Sequence, residues 1–362
     1  MSKEELALES CTDLAMSRVL KRLFVMGFPG LYGGAGTELH HQILIWRQMG
    51  MEVHLIPSWP PVSEPLLPEM HGLGVVVHPP NDFSAISEGD PVLGFCNSDF
   101  LDALPEIHKR TKRTIFVNCM TWLFDKERES MARGLIGMFL YQNPSVREKH
   151  MPELQSLNPS AETRFCVFKP YFEASRFHFI QERSSEFFGC GRISRADADK
   201  FSANTLHIYE YFVAPVWKRG LFLGFDERSQ NKIGQPYDWI RTARDQNEVS
   251  QGEFYAHCEI ILQPTDTTEN WPRIGFEAMA SGSVLIVDNR GGWQQMVEHG
   301  KTGWLCNHER DFIYYASKMA YEKNLRQEMA EAARQRGLLL GGFQASTESW
   351  EEIFEEISKM PT

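Results

Sequence analysis

The sequence lacks the features that define several large classes of protein. None of its apolar runs reaches the roughly 18 residues that a transmembrane helix needs. Its seven cysteines are scattered and never form a Cys-x-x-Cys pair, which predicts free thiols in a reducing compartment. The first residues are acidic and have no apolar core typical of a signal peptide. We therefore expect a cytoplasmic protein.

Positive charge and metal ligands are also scarce. The formal net charge is -11 at pH 7, which disfavours nucleic-acid binding because phosphates require a basic surface. His, Cys and carboxylate residues form no cluster at metal-ligand spacing, so we expect no metal. The basic run "HKRTKR" at residues 108–113 is typical of a solvated helix end. A peripheral membrane contact through this run is the alternative.

What the sequence does contain is two series of short apolar runs separated by longer amphipathic segments. One series extends from "RLFVMGF" (22–28) to "RFCVF" (164–168), and the other from "SEFFGC" (185–190) to "SVLIVDN" (283–289). Such runs predict strands buried on both faces of parallel sheets. Because 362 residues exceed the size of one core, we expect two consecutive Rossmann-like domains. An amphipathic helix is predicted near the C-terminus.

A glycine-rich turn follows the first predicted strand and opens a helix. It contains Gly33, Gly34 and Gly36. Backbone amides at such a helix start can hold a phosphate, although a tight strand-to-helix turn also favours glycine. A dinucleotide-binding fingerprint needs a third glycine and an acidic residue closing the second strand. Thr37 follows Gly36 and the second strand ends in "HLIPSW", so a nicotinamide dehydrogenase is disfavoured.

The stretch "FFGCGRISRADADK" opens the second series of strands. We predict a strand that ends in Gly-Cys-Gly, with Arg192 and, after a few polar residues, Lys200 at its carboxyl end. Doubly wound sheets bind ligands at the carboxyl ends of their strands, where two cations suit a diphosphate leaving group. A solvated loop in which Asp197 and Asp199 neutralise the cations is the alternative.

Two carboxylates stand eight positions apart in "ENWPRIGFEAMASG". On one helix this spacing would place them about 80° apart, so they would not share a face. A helix beginning near Pro272 instead leaves Glu269 in the preceding loop and Glu277 on the second turn. The amides of the first turn would face the same crevice as Glu269. A ligand with hydroxyls at both ends and phosphates between them, a nucleotide sugar, matches these groups.

This segment resembles the retaining glycosyltransferases of the GT-B fold, in particular family 4. Those enzymes share a Glu-x7-Glu signature followed by Ala-Met-Ala-x-Gly, a strand, a Gly-Gly turn and Glu-x-Gly-x-Thr-Gly, all present here in that order. The resemblance implies an α/β fold of two Rossmann-like domains whose parallel sheets face each other across a cleft. Residues 1–172 would be the acceptor domain, residues 173–340 the donor domain, and residues 341–362 a helix returning to the acceptor domain.

The resemblance also implies roles for individual residues. Glu269 would bind hydroxyls of the donor sugar, whereas Arg192 and Lys200 would stabilise the departing diphosphate, and these three are the predicted catalytic residues. The donor is expected to contact Glu277, Ile274, Gly275, Asn270, Trp271, Gly34, Ala35 and Gly36. Of these, Glu277 would bind the ribose hydroxyls, and the amides of Ile274, Gly275 and the Gly34 to Gly36 loop would hold the phosphates. His41 and Asn118 are the candidates for acceptor contact.

The implied activity is a hexosyl transfer from a UDP- or GDP-sugar to a hydroxyl acceptor, which would be a glycan, a lipid-linked molecule or a small molecule. The transfer retains the anomeric configuration and needs neither metal nor cofactor. A nucleotide-sugar epimerase on the same fold and a non-catalytic nucleotide-sugar-binding protein are the alternatives.

This sequence departs from the family pattern at three places. Phe201 follows Lys200 where the family usually has glycine, and Arg195 is an alternative to Lys200 as the partner of Arg192. Asn118 stands where many relatives have a histidine near the reacting sugar. The residues between the two glutamates also differ from those of the family, so the identity of the donor does not follow from the resemblance.

Overall fold

The structure, a computed structural model, describes residues 20–30, 34–61 and 65–362. The chain divides into two units, of which the first comprises Met1–Tyr171 and Phe343–Thr362 and the second Phe172–Gly342. Of the predicted glycine-rich turn, Gly33 lies outside the described residues.

The first unit is built on a seven-stranded parallel sheet in the order β3-β2-β1-β4-β5-β6-β7. Its strands are β1 (Arg22–Met26), β2 (Glu52–Ile56), β3 (Val76–Val77), β4 (Val92–Phe95), β5 (Thr114–Asn118), β6 (Met138–Tyr141) and β7 (Arg164–Val167). The helices before the domain boundary are α1 (Gly34–Gln48), α2 (Leu67–Gly72), α3 (Ser98–Ile107), α4 (Asp125–Ala132) and α5 (Pro144–Leu157). The strand order reverses between β1 and β4, which is where doubly wound sheets bind ligands.

The second unit contains a six-stranded parallel sheet in the order β10-β9-β8-β11-β12-β13. Its strands are β8 (Phe187–Ile193), β9 (Trp217–Leu223), β10 (Ile240–Ala243), β11 (Ile260–Gln263), β12 (Val284–Asp288) and β13 (Gly303–Cys306). Its helices are α6 (Thr205–Tyr211), α7 (Glu227–Ile233), α8 (Gln251–His257), α9 (Arg273–Ser281), α10 (Trp293–Met296), α11 (Glu309–Tyr321) and α12 (Lys323–Gly341). The reversal of strand order falls between β8 and β11.

The chain returns to the first unit through a last helix, α13 (Phe343–Ser358). Trp350 of α13 is fully buried, and its indole Nε1 donates a hydrogen bond to Gln42 Oε1 of α1 at 2.8 Å. Its ring meets Trp46 edge to face, with the centroids 5.0 Å apart. Arg113 donates to the carbonyl of Ser358 at 2.8 Å, so one cation of the basic run holds the end of this helix. The predictions of two Rossmann-like domains and of a returning helix are confirmed.

Candidate functional site

The carboxyl edge of the second sheet brings together two charges that lie far apart in sequence. Lys200 ends a short 3₁₀ helix (Ala198–Lys200) after β8, and Glu269 lies in the loop after β11. The Nζ atom of Lys200 donates to Glu269 Oε1 at 2.7 Å, and the two side chains are 22% and 17% exposed. Because β8 and β11 flank the reversal of strand order, this ion pair lies where such sheets bind ligands.

Arg192 lies at the carboxyl end of β8, as the sequence predicted. Strand β8 continues to Ile193, so Arg192 belongs to the strand and its side chain is fully buried. Its Nη2 atom donates to the Lys200 carbonyl at 2.6 Å. Within the described residues, its buried Nε and Nη1 atoms have no hydrogen-bond partner. Burial lowers the pKa of the Arg192 guanidinium to about 9, so the side chain still carries a positive charge at neutral pH.

Phe201 and Arg195, the two departures from the family pattern near Lys200, have separate places in the structure. Phe201 is buried, and the guanidinium carbon of Arg192 lies 3.3 Å from the centre of its ring. This stacking offsets part of the cost of burying the cation. Arg195 is exposed and pairs with Asp197 at 2.9 Å. Lys200, rather than Arg195, therefore contacts both Arg192 and Glu269.

Glu277 lies on the second turn of α9 and is held by two residues of α8. The Tyr255 hydroxyl donates to Glu277 Oε2 at 2.9 Å, and Gln251 Nε2 donates to the same oxygen at 3.2 Å. Burial raises the pKa of Glu277, while Arg273 and the two hydrogen bonds lower it. Both hydrogen bonds end on Oε2, so Oε1 takes part in neither.

Tyr255 and Gln251 were not predicted from the sequence, although a signal was present. Ser250 and Glu253 form a capping box that begins α8. A helix starting there places residues 251 and 255 four positions apart, on one face. The sequence therefore indicated that the two side chains lie together, but not that they face Glu277.

The residues between the two glutamates form the start of α9. Ile274 lies in its first turn, where amides have no partner within the helix. The amide of Gly275 donates to the Pro272 carbonyl at 2.9 Å, so it is already engaged. A Cβ atom on Gly275 would lie 2.0 Å from Met296 Sδ, so a larger residue here would displace the Met296 side chain of α10.

Asn270 and Trp271 complete the loop before α9. Asn270 is buried, whereas Trp271 is partly buried and packs against the core, with its ring 6.2 Å from that of Phe276. Trp271 thus contributes to the packing of the second unit.

The Gly-Gly turn after β12 supports the loop that carries Glu269. The Gly292 amide donates to the Glu269 carbonyl at 2.8 Å. A Cβ atom on Gly292 would lie 2.0 Å from the Asn270 carbonyl oxygen, and one on Gly291 would lie 2.4 Å from that of Glu269. Gly291 also has a φ of +58°, which favours glycine. Both glycines therefore allow the close approach that fixes the Glu269 backbone.

Substitution Gly292→Ala is expected to displace the Glu269 loop, because its Cβ would lie 2.0 Å from the Asn270 carbonyl oxygen. In the sugar transfer that the family resemblance implies, a displacement of about 1 Å would lower turnover about 100-fold. The measurement is the turnover number with a donor that the wild type consumes. Gly72→Ala is the matched control, since a Cβ there meets nothing within 4 Å. Wild-type turnover in a folded Gly292→Ala protein would contradict this role.

The glycine-rich turn of the first unit borders a cavity of about 270 Å³ at the carboxyl ends of β1 and β4. Ala35 and Gly36 line it together with Gly27, Cys96 and other residues of these strand ends. A Cβ on Gly36 would lie 3.1 Å from the Gly30 amide nitrogen, so Gly36 has a packing role. Gly34 is exposed, and a Cβ there would meet nothing within 4 Å. The fold itself does not require glycine at position 34.

The two candidate acceptor residues are buried in the first unit. His41 is 8% exposed and packs near Tyr171, with ring centroids 6.3 Å apart. Asn118 is 1% exposed and organises the loop after β5. Its Nδ2 atom donates to Glu127 Oε1 at 2.6 Å and to the Trp122 carbonyl at 3.3 Å, and its Oδ1 accepts from the Met120 amide. The NH2 group and the carbonyl oxygen of the Asn118 side chain are therefore both engaged in contacts that hold this loop.

Glu127, beneath this loop, is expected to make stability depend on pH. Burial raises its pKa from 4.5 to about 7. Because the folded value lies above the unfolded one, the contribution of Glu127 is complete below pH 4.5 and is lost as the pH rises through 7. As the pH rises from 4.5 to 7, the wild type should lose about 3 kcal/mol of unfolding free energy relative to Glu127→Gln.

Urea unfolding of both proteins from pH 4 to pH 8 measures this difference, with substitution of the exposed Glu129 by Gln as the control. In Glu127→Gln, the side-chain NH2 group of the new glutamine would face N–H donors, which lowers stability. This cost is the same at every pH, so it does not alter the dependence of stability on pH. Parallel pH profiles for wild type and Glu127→Gln would show that the carboxyl group does not titrate on unfolding.

Other features lie away from these sites. A cavity of about 250 Å³ at the amino edge of the second sheet is lined by Arg183, Glu259 and Arg326, among others. It is at the opposite end of the strands from Lys200 and Glu269. Across residues 20–30, 34–61 and 65–362, no group of three or more His, Cys, Asp or Glu residues could hold a metal ion. In the part of the chain that the structure describes, no helix is both long and apolar enough to cross a membrane.

Solved structures with the same architecture define the class of fold. HepE of Anabaena, solved with UDP and glucose, is 12% identical, covers 93% of this chain and 100% of its own, and has a TM-score of 0.70. A glycosyltransferase from Rickettsia africae is 14% identical over 94% and 99% of the two chains, with a TM-score of 0.68. Sucrose-phosphate synthase from Thermosynechococcus elongatus is 12% identical over 93% and 99%, with a TM-score of 0.68. At these identities the likeness concerns the fold, which is GT-B.

The sequence of the second unit adds a more particular match. Residues 244–336 match the family described as glycosyl transferases group 1. The matched region contains Glu269, Glu277 and the Gly291-Gly292 turn. No curated protein has a sequence that matches this chain. The family match and the GT-B fold support a glycosyltransferase.

Proposed function

We propose that this protein is a retaining, family 4-like hexosyltransferase of the cytoplasm that moves a sugar from a UDP- or GDP-sugar to a hydroxyl acceptor. The observation that carries the proposal is the ion pair between Lys200 and Glu269, beside the buried charge of Arg192, at the carboxyl edge of the second sheet. The group 1 match supports it because it includes both glutamates of the Glu-x7-Glu signature.

In this proposal the donor replaces contacts that the protein makes within itself. Lys200 turns from Glu269 to the diphosphate, and Glu269 turns to the sugar hydroxyls. Arg192 has two buried donor atoms that a phosphate oxygen would satisfy. The ribose hydroxyls bind Glu277, whose position Tyr255 and Gln251 fix. The first-turn amides of α9, near Ile274, add favourable dipoles for an anion.

The proposed reaction transfers one glycosyl group. The bond between the anomeric carbon and the diphosphate oxygen breaks, and its electron pair leaves with the nucleoside diphosphate. The acceptor hydroxyl oxygen bonds to the anomeric carbon from the same face, and its proton passes to the departing phosphate oxygen. Arg192 and Lys200 stabilise the negative charge that develops on the diphosphate, so this proposal includes no metal.

The test is a thermal-shift panel of UDP, GDP and their sugars, followed by product analysis with the donor that binds. A ligand at 100 times its Kd stabilises the folded protein by about 2.7 kcal/mol. We expect one nucleotide series to stabilise the protein, transfer to persist in EDTA, and NMR to show the donor's anomeric configuration in the product. Inverted product or EDTA-sensitive transfer would overturn the proposed mechanism. An epimerised donor, or binding without turnover, would support the corresponding alternative function.

A further inference from the structure

The loop between β5 and α4, residues 119–124, presents two aromatic rings to solvent. Trp122 is 50% exposed and Phe124 is 44% exposed. Their ring centroids lie 6.1 Å apart with an interplanar angle of 72°. Because stabilisation by burial is proportional to the apolar area removed from water, only the covered half of each ring contributes to the core. The core of the first unit therefore does not account for the exposed half of each ring.

The backbone beneath these rings is nevertheless held by hydrogen bonds at four successive residues. Lys149 Nζ donates to the Thr121 carbonyl at 2.9 Å, Asn118 Nδ2 to the Trp122 carbonyl at 3.3 Å, and Arg128 Nη1 to the Leu123 carbonyl at 2.9 Å. The Phe124 amide donates to Glu127 Oε2 at 2.6 Å. A loop fixed in this way needs little further ordering when a ligand binds, which favours affinity.

The position of the loop also favours ligand binding. Strand β5 pairs with β4 in parallel, so the loops that follow these two strands lie at the same edge of the sheet. The cavity at the ends of β1 and β4 opens at that edge too. Trp122 and Phe124 thus belong to the edge at which doubly wound sheets bind ligands.

The surroundings of the two rings indicate the kind of ligand. Asp125, next to Phe124, has a side chain that is 93% exposed and pairs with Arg128 at 3.3 Å, and Asp102 pairs with Lys126 nearby at 2.6 Å. Because carboxylates and cations are paired here, the loop has no excess of positive charge that would favour an anionic membrane surface. Two rings are also far smaller than a stable protein interface, which buries at least about 1,200 Å². A pyranose has an apolar C–H face that suits an aromatic ring and hydroxyls that suit carboxylates.

We infer that Trp122 and Phe124, here called the aromatic platform, bind a pyranose ring of the acceptor, so that the acceptor is a saccharide. That this saccharide is the acceptor of a transfer rests on the proposed function, whereas saccharide binding at the platform does not. Asn118, Arg128, Lys149 and Glu127 are positioning residues in this inference, because they hold the loop and not the sugar.

The experiment measures saccharide binding by saturation-transfer NMR, using methyl glycosides of glucose, galactose, mannose and N-acetylglucosamine, and disaccharides of each. Wild type, Trp122→Ala and Trp122→Phe are compared with Trp217→Ala as the control. Trp217 is 85% exposed and begins β9, at the amino edge of the second sheet. We expect Trp122→Ala to weaken binding about tenfold, Trp122→Phe to weaken it less, and Trp217→Ala to leave it unchanged.

Two further measurements keep the outcomes distinct. Thermal melting and UDP and GDP binding are recorded for each variant, and wild type is mixed with phosphatidylglycerol vesicles while tryptophan emission is followed. Equal saccharide binding by folded wild type and Trp122→Ala, or Trp122-dependent binding to vesicles but to no saccharide, overturns the platform. Nucleotide binding without saccharide binding overturns the platform and leaves the proposed function standing. Trp122-dependent saccharide binding without nucleotide binding supports the platform and overturns the proposed function.

Discussion

A Lys200→Met variant is expected to lose turnover by about 100- to 1,000-fold, the effect of removing one preorganised charge donor from a transition state. Methionine retains much of the length and apolar stem of lysine but cannot donate to Glu269 or to a diphosphate. The loss should appear in turnover more than in donor affinity, because negative charge on the diphosphate grows as the glycosidic bond breaks. Single-turnover rates and donor Kd values measure the two quantities separately.

The control for this variant is Lys318→Met. Lys318, on α11, has a similar exposure, 24% against 22% for Lys200, and pairs at 2.7 Å with Glu322, which directly follows that helix. It lies outside the proposed site, so its substitution should leave turnover unchanged. A folded Lys200→Met enzyme with the wild-type rate would remove Lys200 from the mechanism. A large loss in Arg195→Met would then favour Arg195 as the partner of the diphosphate.

The contact between Lys200 and Glu269 also predicts that their substitutions are not additive. The two side chains are 2.7 Å apart, and groups in contact show coupling energies of about 0.5 to 3 kcal/mol. The Lys200→Met, Glu269→Gln double variant should therefore lose less turnover than the product of the two single losses. A sequence separation of 69 residues gave no indication of this pairing beyond the expectation that both residues follow neighbouring strands.

Apolar patterning predicted most strands but not all of them. The runs for β1, β4, β5 and β12 were visible because both faces of these strands are buried. Strand β10, "IRTA", is an edge strand with two exposed central residues, and its sequence has no apolar run. Strands β6 and β13 were also missed, and they have four residues each, the same length as β4, which was predicted. In runs this short, a strand is hard to distinguish from other buried segments.

The positions of the two glutamates were predictable, but their environment was not. The spacing around Pro272 predicted Glu269 in a loop and Glu277 on the second turn of a helix, and the structure has both. That Gly275 packs against Met296 follows only from the approach of α10, which is a tertiary contact. Likewise, local sequence cannot show that Phe201 stacks on Arg192, because the two residues meet only after the chain turns at the end of β8.

Arg192→Met is expected to change stability and activity in opposite directions. The guanidinium is fully buried, and in the described chain its Nε and Nη1 atoms have no partner, so the ligand-free protein bears the cost of a desolvated cation. An apolar side chain of similar length removes that cost, retains contact with Phe201 and loses the hydrogen bond to the Lys200 carbonyl. We expect the unfolding free energy to rise by about 1 to 2 kcal/mol.

Turnover of the same variant should fall about 100-fold or more, because the proposed site loses a charge aimed at the departing diphosphate. Urea unfolding and single-turnover kinetics on one preparation measure both effects, and binding of the nucleoside diphosphate shows whether the site remains formed. A purely structural arginine would give the reverse pattern, in which Arg192→Met unfolds more easily and the folded fraction transfers sugar at the wild-type rate. Opposite signs for stability and activity therefore separate a charge retained for a ligand from one retained for the fold.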